Sequence, residues 1–469
     1  MVGAGNLMAE FSQQSKKMES KLVINESIAD RTEFLVDEVF TPASPAIACY
    51  VPRGEKINDK VVNALKTRGK QIVVYGHSGS GKTTLLLNKL NQVYEDHLTS
   101  RCMKTTTVES LMIDAISQLA PFYESEKSVA QKSNKEVQIE STFFEIKTGL
   151  KASSNSESTA KSSKLVPPQL NAHNLARLLG IQGLCWVIED FHKVEALEKQ
   201  KLSQVMKIFM DCGAEFPQLK IITLGAVQTA RQVVEYDDEM RNRVSEIEIQ
   251  LMEPEEILQI INTGERRLNI EFPPNIKKLI CKYSGGLPAV CHQLCLNACN
   301  AHGLVSTCLV TEKITTEDMR KAVETYVEET SDSIRSRFEK ALKTNRQSKF
   351  PSAKIVLECM IDFPDTGAAR FHLLQKIQQQ FSSYTDASLK RTLTSLTQPG
   401  GCELVRYSQN SGLYAFSDPL YHAYAMTIFH KTDSSSVDID NLDLDFPTLI
   451  RLLEKELKKR GVHKVVERT

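Results

Sequence analysis

Residues 71–84 of the chain read QIVVYGHSGSGKTT, and the rest of the sequence is organised around them. Ile72 to Tyr75 is a short apolar run that predicts a buried strand, and the pattern from Lys82 to His97 predicts a helix. Gly76 to Gly81 forms a glycine-rich turn between the two. The sequence therefore predicts a strand, a phosphate-binding loop (P-loop) and a helix in direct succession.

The residue types in this loop suit the phosphates of a nucleotide. Glycine lets the backbone approach phosphate oxygens in conformations that a Cβ atom disfavours. Lys82 adds a positive charge for the β- and γ-phosphates, and the Thr83 hydroxyl is a ligand for Mg²⁺. The predicted contacts to ATP are Gly76, His77, Ser78, Gly79, Ser80, Gly81, Lys82, Thr83 and Thr84. The alternative is a chance glycine turn before an amphipathic helix.

A second apolar strand, Leu184 to Asp190, ends in two carboxylates. In a P-loop protein one acid at the end of such a strand holds Mg²⁺, usually through water, and the next acid orients and deprotonates the attacking water. By position, Glu189 takes the metal role and Asp190 the role of the base. The alternative is that both acids only cap the turn from Phe191 to Glu195.

The order of these two acids is the reverse of the common Asp-Glu. Glu189 is one methylene longer, and Asp190 one methylene shorter, than the usual residue at its position. A base displaced by about 1 Å loses roughly a hundredfold in rate, so we expect slow hydrolysis. A rival assignment puts Asp190 on the metal and leaves Phe191 at the position of the base.

Composition excludes several classes of protein. The chain has 469 residues, of which 41% are hydrophobic and 25% charged, as in ordinary globular proteins of more than one domain. Lys+Arg and Asp+Glu are equal at 58 each, so any binding to nucleic acid or an anionic membrane must come from a local patch. Met1 to Leu22 lacks the apolar stretch of a signal peptide, and no later run predicts a membrane span. These features predict a cytoplasmic protein without a membrane partner.

Alternation of strands and helices predicts an α/β fold with a doubly wound parallel sheet. Besides the two strands above, we expect strands at Ala46 to Val51, Arg101 to Thr106, Leu219 to Leu224 and Ile247 to Leu251, and a helix at Val108 to Leu119. Gln228 follows the strand at Leu219 to Leu224, where a polar side chain from a strand end is placed to sense the γ-phosphate.

The later sequence predicts further domains. Three helical segments precede two short strands joined by a polar turn, which is the order of a winged helix. Lys390 and Arg391 lie on the third of these helices, where a DNA reader carries its contacts. The predicted divisions are a polar arm at 1–45, the P-loop core at 46–251 with an insertion at 124–167, an all-α lid at 252–345, a winged helix at 346–432, and an acidic joint with a C-terminal helix at 433–469.

The order of these parts resembles the AAA+ and STAND families of P-loop NTPases, especially the small bacterial ATPases close to the Orc1/Cdc6-like group. The resemblance covers roughly Arg53 to Tyr424. It implies that Gln228, in place of the more usual Asn, is the sensor-1 residue. It also implies that Arg243, or equally Arg241, is an arginine finger completing the site of a neighbouring copy.

The turn Ser284-Gly-Gly-Leu-Pro288 is similar to the lid motif of STAND proteins, in which the proline backs the adenine. The helix after Pro288 has no arginine at the sensor-2 position of AAA+ proteins, and this absence favours a resemblance to the STAND family. The alternative is a plain helix-start proline. In STAND proteins the winged helix mostly packs against the nucleotide domain as a clasp, and this interpretation stands beside DNA binding.

Together these features predict an ATP- and Mg²⁺-binding switch that hydrolyses slowly, self-associates and controls a protein effector, for example in bacterial defence. The alternative function is a DNA-binding AAA+ ATPase that acts as a loader or as a regulator of transposition or replication.

Overall fold

The structure, a computed structural model, describes residues 33–119, 122–129, 158–164, 171–225, 242–343, 352–364, 366–398, 402–408 and 411–429. The first part of the chain forms, in order, α1 (Val36–Val39), α2 (Glu55–Lys66), β1 (Gln71–Gly76), α3 (Lys82–Val93), β2 (His97–Arg101), α4 (Val108–Leu119), β3 (Phe122–Val129), β4 (Ser158–Lys164), α5 (Ala172–Ile181), β5 (Cys185–Glu189), α6 (Ala196–Cys212), β6 (Ile221–Gly225) and β7 (Val244–Ile249).

Five of these strands form a parallel sheet in the order β2-β5-β6-β1-β7. One face is covered by apolar side chains of α4, α5 and α6, and the other by those of α2 and α3. β1 and β6 are buried along their whole length, because a central strand covered on both faces exposes no side to water. The predicted α/β class, with a doubly wound parallel sheet, is confirmed.

One polar chain fixes how β2, β5 and α4 meet. Trp186 of β5 is fully buried, and its indole Nε1 donates to Ser100 Oγ at 3.0 Å. The Ser100 hydroxyl in turn donates to Asp114 Oδ2 on α4 at 2.5 Å. A buried indole N–H needs such a partner, so this chain sets the position of the edge strand against β5.

The observed bounds correct several predicted elements. The helix after the P-loop ends at Val93, because the next strand begins at His97. The strand predicted at Arg101 to Thr106 instead begins four residues earlier, at His97, and ends at Arg101. Its alternate side chains are buried against α4. No strand forms at Ala46 to Val51, where Ala48, Cys49 and Val51 instead pack into an apolar cluster with side chains of the later helices.

The insertion begins and ends as a hairpin of β3 and β4. The two strands pair antiparallel from Phe122 opposite Lys164 to Val129 opposite Ser158. Residues 130–157, which include the alternating stretch where we expected a strand or hairpin, lie outside the described residues.

The later chain forms α7 (Pro254–Leu268), β8 (Ile270–Glu271), α8 (Pro274–Ser284), α9 (Pro288–His302), β9 (Glu312–Lys313), α10 (Thr316–Leu342), α11 (Ser352–Ile361), β10 (Ala368–Ala369), α12 (Arg370–Gln380), α13 (Asp386–Thr397), β11 (Val405–Ser408), β12 (Leu413–Phe416) and α14 (Pro419–Phe429). Helices α7 to α10 pack against one another and form a helical layer. Strands β10, β12 and β11 form a three-stranded antiparallel sheet with α11 to α13 nearby, and we call the region from α11 to α14 the C-terminal module.

One continuous apolar cluster joins the helical layer to the C-terminal module. It also takes in side chains from the N-terminal segment before α2, including Phe40, whose ring lies in T-shaped contact with that of Phe272. The helical layer and the C-terminal module therefore share one apolar core. Among the described residues, no helix combines the length and the apolar character needed to span a bilayer.

Candidate functional site

The P-loop has the backbone geometry that its glycines predict. A Cβ atom on Gly76 would lie 2.4 Å from the carbonyl oxygen of Ile249 in the neighbouring strand, so only glycine fits there. Gly81 caps the N-terminus of α3 in the left-handed region at φ 83°. The loop therefore turns back on itself and leads directly into the N-terminal end of α3, which attracts anions.

Lys82 is held over this loop. Its ammonium donates to the carbonyl oxygens of Gly76 at 3.1 Å and His77 at 2.6 Å. Burial lowers the pKa of Lys82 to about 8, while the carboxylates of Asp190 and Glu403 act in the opposite direction. A buried cation with two carbonyl partners is a ready partner for phosphate oxygens.

Other features of the loop also fit a phosphate group. The Ser80 side chain is 1% exposed, and its hydroxyl is buried without a hydrogen-bond partner. A buried hydroxyl without a partner costs free energy unless a ligand or water pairs with it. The residues of the loop therefore suit a polyphosphate, and Thr83 on the first turn of α3 stands where a hydroxyl ligand for Mg²⁺ is required.

The two acids lie at the carboxyl end of β5. Side chains of a strand alternate between faces, and Cys185 and Val187 pack on the face of α3. Glu189 continues this alternation toward the P-loop helix, with its side chain 13% exposed. Its carboxylate accepts a hydrogen bond from Arg101 Nε at 2.8 Å, and the arginine is largely exposed.

Asp190 sits in the left-handed region at φ 58°, a conformation that Asp and Asn tolerate better than most residues. Its carboxylate accepts a hydrogen bond from Lys193 Nζ at 2.7 Å. Asp190 is also the carboxylate that opposes burial most strongly in setting the pKa of Lys82, so it lies close to the P-loop. Both assignments of the two carboxylates are compatible with these contacts, because Glu189 points to the side of α3 and Asp190 faces Lys82.

Strand β6 ends between the P-loop strand and the acid strand. This is the position from which we predicted that Gln228 would reach the γ-phosphate, but Gln228 and Arg241 lie outside the described residues. Arg243 is described, and it precedes β7 at the end of the sheet opposite to Gly76. Its guanidinium is half exposed and lies 3.1 Å from Asp211.

The six residues of β7 separate Arg243 from its own P-loop by about 17 to 20 Å at the usual rise per residue. This arginine is therefore out of reach of its own site. If it acts on a nucleotide, that nucleotide must belong to another copy of the chain.

The turn before α9 touches the P-loop directly. The backbone N–H of Ala289 donates to the carbonyl oxygen of Gly79 at 3.3 Å. A Cβ atom on Gly81 would lie 3.5 Å from the Pro288 ring, and one on Gly79 would lie 3.2 Å from Ala289. The structure thus brings Pro288 to the P-loop, and its role in backing the adenine stays a prediction.

A group of buried polar atoms next to the P-loop was not predicted from the sequence. Arg53 is 4% exposed and donates from Nη2 to the carbonyl oxygen of Gln250, the residue after the strand partner of Gly76. Its Nε and Nη1 atoms have no hydrogen-bond partner, although Nη1 lies 3.8 Å from Glu256. The Tyr50 hydroxyl is also buried without a partner. The only signal in the sequence is an arginine between proline and glycine ahead of α2.

Two charged residues of the C-terminal module also act on the site. Burial lowers the pKa of His77 to about 4, and the next cause is the charge of Arg406. Burial lowers the pKa of Lys82 and of His192, and the Glu403 carboxylate is one of the charges that oppose this lowering. Their influence on the P-loop depends on contacts between distant parts of the chain, so no local pattern indicates it. The side chains of Lys390 and Arg391 are exposed on α13.

No protein-family model and no curated protein matches the chain. Among solved structures, the Walker-type ATPase PABY2304 of Pyrococcus abyssi matches with a TM-score of 0.54 and 16% identity, covering 82% of this chain and 99% of that one. The ORC2 protein of Aeropyrum pernix, solved with ADPNP and ADP, matches with a TM-score of 0.47 and 12% identity, covering 91% and 98%. Cdc6p from Pyrobaculum aerophilum gives 0.43 and 12%, covering 90% and 98%.

The likeness to PABY2304 shows a shared fold over most of both chains. The sequence resemblance to P-loop NTPases is thereby confirmed at the level of the fold.

Proposed function

We propose that the protein is an ATP-binding switch of the AAA+/STAND type that hydrolyses ATP slowly and controls a protein effector. The observation that supports this most is the convergence of Lys82, the acids at the carboxyl end of β5 and the turn at Pro288 on one edge of the parallel sheet. A ligand between them would meet a cationic loop on one side and carboxylates on the other. The description of PABY2304 as a Walker-type ATPase agrees with this proposal.

In this proposal the P-loop and Lys82 bind the phosphates, while Thr83 and Glu189 hold Mg²⁺, which supplies positive charge to the phosphate oxygens. Asp190 would orient a water molecule and accept its proton as the water oxygen attacks the γ-phosphorus, while the bond from that phosphorus to the β–γ bridging oxygen breaks and ADP leaves. Lys193 neutralises Asp190 in the present arrangement, and a half-exposed ion pair of this kind is worth about 1 kcal/mol or less. A new partner of Asp190 therefore replaces Lys193 at little cost in free energy.

Slow hydrolysis follows from the short side chain at the position of the base. The Asp190 carboxylate is one methylene closer to the backbone than that of the common Glu, and loss of about 1 Å in reach costs roughly a hundredfold in rate. A long-lived ATP state suits a switch better than a motor. The end of the site that binds the adenine ring is proposed to lie near Tyr50 and Arg53, whose buried polar atoms lack hydrogen-bond partners.

Self-association is part of the proposal, because Arg243 is too far from its own P-loop to act there. We expect ATP to promote assembly and to make turnover per molecule rise with protein concentration. Sedimentation velocity with and without a non-hydrolysable ATP analogue measures this. Replacing Arg243 by Ala should reduce turnover about a hundredfold or more while leaving nucleotide affinity unchanged.

A suitable control is Arg177→Ala, since Arg177 is also exposed and weakly paired, at 3.9 Å from Glu215. A monomer under all conditions, with turnover per molecule independent of concentration, would contradict the assembly proposal.

The second candidate function is a DNA-binding ATPase, and it is favoured by the exposure of Lys390 and Arg391 on α13. Changing both residues to Glu should then weaken duplex DNA binding and reduce the slope of log affinity against log salt by about 2. Lys56→Glu with Lys60→Glu is the matched control, because both are exposed on α2 and the change in net charge is equal. If no DNA is retained at low salt with ATP present, this function is eliminated.

A further inference from the structure

The C-terminal module carries a pocket formed by residues that take no part in the proposed nucleotide site. The pocket has a volume of about 530 Å³ and lies between the hairpin of β11 and β12 and the first residues of α12 and α13. Pockets that bind small ligands have volumes of roughly 300 to 1,000 Å³. This one is therefore large enough for a nucleobase with its sugar.

Strand pairing brings three aromatic rings to this pocket. Tyr407 of β11 lies directly opposite Tyr414 of β12, and their ring centroids are 4.6 Å apart. Ala369 of β10 pairs with Leu413 of β12, so the start of α12, which carries Phe371, lies beside the same hairpin. Phe371 is 70% exposed and Tyr407 is 37% exposed, so both rings leave apolar surface in contact with water.

One side of the pocket has no side chain. Gly412 lines the pocket in the left-handed region at φ 70°, and no atom lies within 4 Å of the point where its Cβ would stand. Space for a flat ring beside the tyrosine pair is therefore already present in this conformation.

The charges around the pocket favour an anionic ligand. Within the pocket, Arg370 Nε lies 3.2 Å from Asp386 Oδ1, so these two charges balance each other. Lys390 lies one helical turn after Asp386 on the same face of α13 and is exposed, as is the next residue. The described residues from 370 to 416 carry the basic side chains of Arg370, Lys376, Lys390, Arg391 and Arg406 and the acidic side chains of Asp386 and Glu403. This positive balance suits phosphate groups and disfavours a cation between the rings.

A ligand that combines flat rings with regular negative charge is a nucleic acid, and the pocket requires a base whose face is free. The bases of a duplex are paired and stacked, whereas an unpaired base stacks on tyrosine or phenylalanine while its backbone follows basic side chains. Lys390 and Arg391 extend the basic surface beyond the pocket. A strand of several nucleotides therefore meets more of this surface than one free nucleotide does.

We propose that this pocket binds an unpaired base of a single-stranded nucleic acid. The base stacks on Phe371 and Tyr407. Arg370 exchanges Asp386 for a neighbouring phosphate, and Lys390 contacts the next part of the backbone. This activity goes beyond the proposed ATP switch, and it differs from duplex binding by α13 because it depends on aromatic rings and not on charge alone.

Fluorescence anisotropy of a labelled oligo-dT of about 15 nucleotides, titrated with the full-length protein, tests the proposal. We expect saturable binding that is about tenfold tighter than binding of a duplex of equal length at the same ionic strength. Phe371→Leu and Tyr407→Leu each remove a flat ring but keep an apolar side chain, so each should weaken oligo-dT binding about tenfold. Tyr407→Phe keeps the ring and should retain the wild-type affinity.

The salt dependence separates stacking from charge. Phe371→Leu should leave the slope of log affinity against log salt unchanged, whereas Arg370→Gln should reduce that slope by about 0.7, the value for one phosphate contact to a single strand. Leu309→Ala is the control, because Leu309 is fully exposed outside the pocket and its loss should change neither quantity. Phe371→Leu should also leave ATP affinity and thermal unfolding unchanged, since the ring is largely exposed.

Three results would each overturn the inference. One is the absence of oligo-dT binding at low salt. Another is duplex binding as tight as that of the single strand with no effect of Phe371→Leu or Tyr407→Leu, which would mean that charge alone is recognised. The last is competition by thymidine monophosphate at the same concentration as unlabelled oligo-dT, which would make the pocket a site for a free nucleotide.

Discussion

Lys82→Ala is expected to reduce ATP affinity by at least about a hundredfold, or about 3 kcal/mol. The ammonium already donates to two P-loop carbonyls and is the cation placed to meet the β- and γ-phosphates. Alanine removes both the charge and its hydrogen bonds while retaining helix propensity at the start of α3. Equilibrium binding of a fluorescent ATP analogue, with competition by unlabelled ATP, measures the loss.

Lys66→Ala provides the control, because Lys66 is exposed in the last turn of α2 and has the same formal charge. Its ATP affinity should equal that of the wild type. Unchanged affinity in Lys82→Ala, with the thermal unfolding transition preserved, would refute the assignment of the loop as a phosphate site.

Asp190→Asn is expected to leave ATP bound but to reduce hydrolysis by about a hundredfold or more. The amide keeps the shape of the side chain, but it cannot accept a proton from water. Asparagine also tolerates the left-handed backbone at φ 58°, so the variant should fold normally. Single-turnover hydrolysis, measured together with nucleotide affinity, separates the two effects.

Glu189→Gln is the matched comparison at the neighbouring acid. It should weaken Mg²⁺-dependent ATP binding, because a negative charge directed toward the metal side is lost. If Asp190→Asn instead loses Mg²⁺-dependent affinity, the roles of the two carboxylates are the reverse of those proposed, and Asp190 is the metal residue.

The sequence was sufficient to predict the central part of the fold. β1 and β5 are continuous apolar runs because they are buried on both faces of a parallel sheet, and the glycine loop between β1 and α3 has few other structural uses. The predicted helix at Val108–Leu119 agrees with the observed α4. In these places the local pattern and the tertiary environment require the same structure.

Elsewhere the local pattern was ambiguous. The apolar residues at 46–51 predicted a strand, yet the side chains of Ala48, Cys49 and Val51 pack into the apolar core of the helical layer. The edge strand β2 contains His97 and Thr99, so its alternating burial is weaker than that of the central strands. A short apolar run is compatible with either a strand or a packed loop until its partners are known.

The parts of the candidate site that the sequence did not reveal come from long-range packing. Arg406 lies more than three hundred positions after the P-loop in the sequence, and it comes near the loop only because it donates to the carbonyl oxygen of Gly285 in the turn before α9. The buried polar atoms of Tyr50 and Arg53 could not be predicted for a similar reason, since only the fold shows that they are buried and lack hydrogen-bond partners.

The most direct test of the central claim is calorimetric titration of the full-length wild-type protein with ATP in the presence of Mg²⁺. The account predicts saturable binding to one site per chain, weaker without Mg²⁺ and lost in Lys82→Ala. An absence of saturable ATP binding by the folded wild type at millimolar nucleotide, or binding that Lys82→Ala leaves intact, would contradict it.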